Sequence, residues 1–281
     1  MYRISSRWQT TLLPALFVLY VSACSNEKTQ REQYDDATSG ITFRAYKTTS
    51  STAVGPAVAL YNSQKTDSLP PIDPTYVHLL LGYGWTVSGK HAMAFAEADL
   101  TQEEGDTTAQ YLARSLRSIA MYEQGWDSLA HEEAEQSKKL LKPNTEAPYE
   151  VATFYVLMGL AQAYDKDFAQ SKFYFAGFAN ETGIHWPYKL TDAIDDFQHN
   201  RLQEGLVKLK ALSQDPDVPP ALQQALAEQI TVIETKAGDV NSSLFWPRLI
   251  SAVVLEQLKK SSNSQIGQVV QMVESLRAKI G

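Results

Sequence analysis

The chain has 281 residues, 44% hydrophobic and 20% charged, which is enough for one large domain or an extended array. Its formal net charge of −7 is spread over interspersed charges of both signs, with no basic stripe to meet nucleic acid or anionic lipid. The single cysteine, Cys24, lies near the N-terminus, so the body beyond it has no disulfide, thiolate metal site or cysteine nucleophile.

Residues 1–23 read as a signal peptide: Arg3 and Arg7 form a basic start, and Leu12 to Val21 is a short apolar core. That core is too short for a permanent membrane span, which needs about 20 residues. The tetrapeptide "VSAC", Val21 to Cys24, resembles the lipobox of bacterial lipoproteins. The resemblance implies that Cys24 is lipidated and becomes the new N-terminus, anchored by several acyl chains. An ordinary signal peptide cleaved after Ala23 is the plainer alternative. Ser25 stands where aspartate would retain a Gram-negative lipoprotein at the inner membrane, so the resemblance implies an outer-membrane, periplasm-facing location.

Residues 24–71 read as the lipidated cysteine and a flexible tether. "SNEKTQREQYDDATSG" has almost no apolar content. "ITFRAYKTT" and "AVGPAVALY" leave room for a short ordered piece without assigning it.

From Pro74 the apolar spacing is helical nearly everywhere, and an all-α body is expected. "GYGWTVSGKHA", Gly82 to Ala92, contains G-x-x-x-x-G-K, most of a phosphate-binding loop. That motif needs a buried strand before it and Ser or Thr after the lysine, whereas here a helical run precedes it and His91 follows. A better account comes from internal repetition. Small residues recur twelve positions apart as Gly82/Ala94, Ser118/Ala130, Gly159/Ser171 and Ala193/Gly205, with starts separated by 36, 41 and 34 residues. "LGYGWTVSGKHAMA" and "SIAMYEQGWDSLA" carry turn glycines, Gly89 and Gly125; "GLAQAYDKDFAQS" and "AIDDFQHNRLQEG" keep the small pair.

Residues 72–217 therefore resemble tetratricopeptide (TPR) repeats, an α-solenoid of helical hairpins. Gly82 is then a close-packing contact, Gly89 opens the turn between two helices, and Lys90 is a turn residue. The resemblance further implies a concave groove that binds a protein or peptide. On matched positions it is lined by Tyr76, Leu79, Tyr83, Leu112, Ile119, Tyr122, Val156, Tyr164, Leu190, Ile194 and Phe197. Tyr76, Tyr83, Tyr122, Tyr164 and Phe197 are its aromatic partner-binding candidates; packing between neighbouring repeats is the alternative use for several of them. Residues 218–281 read as a C-terminal helical cap, with helices over 220–237, 243–260 and 264–280.

Candidates for chemistry are few, and no motif calls for a cofactor. In "TDAIDDFQH", Asp192, Asp195 or Asp196, and His199 fall at i, i+3/i+4 and i+7, so one helical face could present two carboxylates and an imidazole to a metal or a reaction. An acidic first half that complements the helix dipole, with His199 near the end for the same reason, is the plainer reading. His131 in "HEEAEQSKK" begins an H-E-x-x-H pattern that lacks its second histidine, and no metal site is expected there. The expectation is a non-enzymatic, outer-membrane lipoprotein with no nucleic-acid role, acting as a scaffold for an envelope, secretion or pilus complex. The alternative is a small-ligand-binding lipoprotein associated with a solute transporter.

Overall fold

The computed structural model describes residues 28–65, 69–235, 244–259 and 265–281. The signal segment and Cys24 lie outside the described residues. Those described are all-α, with thirteen helices and no strand.

Four helix pairs form the body: α3 (Pro74–Val87) with α4 (His91–Glu104), α5 (Thr107–Glu123) with α6 (Asp127–Ser137), α7 (Pro148–Tyr164) with α8 (Phe168–Thr182), and α9 (Trp186–Gln198) with α10 (Leu202–Ser213). In each pair three residues join the helices, and the middle one is left-handed: Gly89 (φ 72°), Gly125 (73°), Lys166 (63°) and Asn200 (59°). The next N–H then bonds back to the carbonyl five residues earlier: Lys90 to Trp85 (2.9 Å), Trp126 to Met121 (3.0 Å), Asp167 to Gln162 (2.9 Å), Arg201 to Asp196 (2.8 Å). This is the Schellman closure, which satisfies otherwise orphaned carbonyls at a helix end. One backbone solution thus recurs four times.

In three of the four cases the paired small residues meet across their helix pair. Ser118 Oγ donates to the Ala130 carbonyl (2.9 Å), and Ser171 Oγ to that of Gly159 (2.8 Å). A Cβ on Gly82 would collide with Leu116 Cδ2 and sit 3.4 Å from the Ala94 carbonyl oxygen. Gly82 and Gly84 lie inside α3, so the G-x-x-x-x-G-K stretch is a helix and a turn, and Lys90 rests over the Trp85 ring at 4.8 Å.

The tether expectation fails for residues 30–64. They form α1 (Gln30–Ser39) and α2 (Ile41–Gln64), and α2 packs on α3 and α4. Phe43, Tyr46, Ser50, Val54 and Val58 make a buried stripe three or four residues apart. Two of the five are polar-ended and find partners inside: Tyr46 Oη and Ser50 Oγ donate to the buried carboxylate of Glu97, Ser50 at 2.7 Å. His78 Nδ1 lies 2.6 Å from the other Glu97 oxygen, and Trp85 Nε1 donates to Tyr46 Oη (2.6 Å). A buried carboxylate requires such partners, so this cluster pins α2 to the first pair.

The cap expectation also needs correction. α11 (Pro220–Thr235) does continue the array against α10. By contrast, α12 (Phe245–Lys259) and α13 (Gln265–Ile280) fold back onto α3 and α7, the first helices of the first and third pairs. The apolar stripe of α13, Ile266, Val269, Val270, Val273 and Leu276, is buried there. These last two helices thus cover faces of the first and third pairs.

Candidate functional site

The five aromatic groove candidates are all buried: Tyr76, Tyr83, Tyr122, Tyr164 and Phe197. Tyr83 is wholly enclosed, and its hydroxyl donates to the Ser251 carbonyl of α12 (2.5 Å). Tyr76 stacks edge-on against Tyr149 at 6.0 Å, while Phe197 crowds Gly205 within its own pair. The open, aromatic-lined groove expected from the repeat resemblance is therefore absent among the described residues.

Tyr122 and Tyr164 do come together, with rings stacked 6.3 Å apart. Each sits in the last turn of its helix, and each hydroxyl reaches the C-terminal end of the other's helix. Tyr122 Oη donates to Asp165, the capping residue of α7, and Tyr164 Oη donates to Glu123 Oε1 (2.6 Å). Arg248 of α12 grips both oxygens of Glu123 at 2.9 Å. Burial, reinforced by the neighbouring carboxylates, pushes both phenols well above their ordinary range, so they act as neutral donors.

Two clefts flank Tyr164. One, of about 630 Å³, is lined by Tyr122, Ser128, His131, Tyr164, Asp165 and Lys166. The other, of about 250 Å³, is lined by Thr86, His91, Glu123, Tyr164, Arg248 and Ser251. Burial depresses the His91 imidazole below its ordinary value, outweighing the pull of Glu123. A third cleft, about 640 Å³ and mainly apolar, lies between α12 and the segment leading into α11. Ile184, Pro216, Val218, Pro219 and Val253 line it, with Asp217 and Glu256 at its acidic edge.

The Asp192–His199 face is committed to structure. Lys172 of α8 meets Asp192 (3.0 Å) and Asp195 (3.3 Å); Lys208 of α10 meets Asp192 (2.5 Å) and Asp196 (2.6 Å); Arg201 meets Asp196 (2.8 Å). His199 Nδ1 turns back to the Asp195 carbonyl oxygen (2.8 Å). Cations from both neighbouring helices already neutralise these carboxylates.

A different trio converges. His131 and Glu135, one turn apart on α6, meet Asp165, and one ligand atom from each lies within 4.8 Å of the others. The sequence drew attention to His131 but not to Asp165, which is brought over from the next pair. Compared with family models, curated proteins and solved structures, the chain matches none of them.

Proposed function

We propose that the chain is a lipid-anchored, TPR-like scaffold at the outer membrane, facing the periplasm and holding a protein partner for an envelope, secretion or pilus assembly. The observation that carries this reading is the fourfold Schellman turn at repeat spacing, joined to the meeting of the paired small residues. Stacked hairpins of this kind expose long continuous surfaces, which suit extended protein contacts better than a small substrate. With α12 and α13 covering the first and third pairs, an apolar opening is found at the cleft around Val218, Pro219 and Val253. Its acidic edge favours an apolar partner segment carrying a basic residue.

A second reading, a small-ligand-binding lipoprotein, draws on the polar cleft at Tyr122, His131 and Asp165. Cross-linking in whole envelopes followed by purification compares the two. Wild type should retain one reproducible protein partner. Val253→Asp, at a half-buried cleft position, should lose it at least about tenfold while its helical spectrum stays unchanged. Cys24→Ala should leave the membrane fraction or accumulate as precursor. Equal capture by wild type and Val253→Asp rejects the cleft, and the absence of any protein partner favours the second reading.

A further inference from the structure

We infer that His131, Glu135 and Asp165 form a binding site for a divalent transition-metal ion of the zinc class, at the rim of the cleft beneath Tyr122. The inference stands independently of the scaffold reading.

The donors are placed by the fold. His131 and Glu135 are four residues apart on α6 and share one face. That face meets the C-terminal end of α7, where Asp165 is the capping residue. His131 Nδ1 and Asp165 Oδ1 are already 2.7 Å apart. Bond lengths of about 2.0–2.2 Å to nitrogen and oxygen put tetrahedral donors roughly 3.4 Å apart. Closing the trio from within 4.8 Å needs only side-chain rotation. His131 is free to make it, being 61% exposed.

The electrostatics call for a cation. The Asp165 side chain is only 5% exposed and sits at a helix C-terminus, where the backbone dipole is already negative. Its second oxygen faces the Lys138 ammonium at 3.9 Å, beyond hydrogen-bond range. Lys138 instead bonds Glu135 (2.5 Å) and Asp167 (2.9 Å). Lys138 is the local cation, and its bond to Asp167 lets it retire there when an ion enters. Tyr122 supplies the outer support: its hydroxyl donates to Asp165 and orients the carboxylate, as hydrogen bonds behind metal ligands generally do.

The donor set selects the ion. One imidazole nitrogen and two carboxylates suit zinc, cobalt or nickel better than calcium, which takes six or more oxygens. Three protein ligands leave at least one position open toward the cleft of about 630 Å³, an arrangement that holds an exchangeable ligand rather than a closed structural ion.

The test is calorimetric titration of the chelator-treated full chain with Zn²⁺, repeated with Co²⁺ to read its visible absorption bands. One ion should bind per chain in the micromolar range, and the cobalt bands should be those of a four- or five-coordinate N/O site. Exposed His131 can be changed without disturbing the core, and His131→Ala should weaken binding at least about tenfold. Lys138→Gln, which removes the competing cation, should strengthen it severalfold. The absence of saturable Zn²⁺ binding below about 1 mM overturns the site. So does unchanged affinity in His131→Ala, or weakened affinity in Lys138→Gln.

Discussion

Lys166 and Asn200 occupy the left-handed backbone position that Gly89 and Gly125 fill in the first two pairs. An L-residue there places Cβ against the following carbonyl, at a cost of about 1–2 kcal/mol, and asparagine tolerates this better than lysine. Lys166→Gly removes that strain but gives the unfolded chain extra freedom worth about 0.4–1 kcal/mol. The net expectation is a gain of about 0.5–1 kcal/mol, read as a higher urea midpoint at unchanged slope. A loss of stability would mean that the Lys166 side chain contributes more at the cleft than its backbone costs. The same comparison explains what could be read in advance. A glycine announces a left-handed turn, so the first two turns were visible, whereas Lys166 and Asn200 carry no such mark and only the repeat spacing pointed to them.

Helices declared themselves where their apolar residues dominated and hid where they did not. The last apolar stripe was expected over 264–280 and α13 spans Gln265–Ile280. By contrast, α2 has Gly55 and Pro56 inside it and buries Tyr46 and Ser50 among its apolar residues, so its composition reads as linker. Its helical face became recognisable only with the Glu97 carboxylate that receives those hydroxyls. In α9 the acidic run resembled a metal face because the neutralising Lys172 and Lys208 come from helices on either side. That arrangement has a pH signature. Burial alone would raise the Asp196 carboxyl, but hydrogen bonds and charges from Lys208 and Arg201 overcome it and hold it below its ordinary 3.8. Asp192 is lowered in the same way by Lys208 and Lys172. A depressed folded-state value means that the unfolded chain binds more protons as pH falls through 3.8 and below. The stabilisation is therefore full above that range and is lost toward acid. Asp196→Asn should cost about 1–3 kcal/mol near pH 7 and flatten the decline of stability on acidification. Urea melts at pH 7 and across the acid range test both effects; a mutant with the same acid slope as wild type would count against the network.

At the scale of the molecule, the helices close on themselves. Consecutive pairs were legible from the recurring small residues, but the return of α12 and α13 was not, because an apolar stripe shows that a helix is covered without saying by what. The structure supplies the partners. α13 lies against α2, α3, α7 and α12. Its Arg277 guanidinium stacks on Trp85 at 4.9 Å and donates to Ser88 in the first turn, and Lys90 Nζ lies 3.5 Å from the Gly281 carbonyl oxygen. A linear array and a closed one respond differently to loss of their last helix. In a linear array each unit contacts only its neighbours, so deleting residues 265–281 would loosen α9 to α11 and leave the first pair intact. Here the deletion should instead speed amide hydrogen exchange in α3 and α7, shift Trp85 emission to the red, and leave α9 to α11 nearly as protected as before. Val270→Asp tests the same contact at full chain length, since a carboxylate at this buried position has to be hydrated or neutralised and so drives α13 off its seat. If both variants loosen the α9–α11 end while α3 keeps its protection, the closed arrangement is wrong and the chain is an open array.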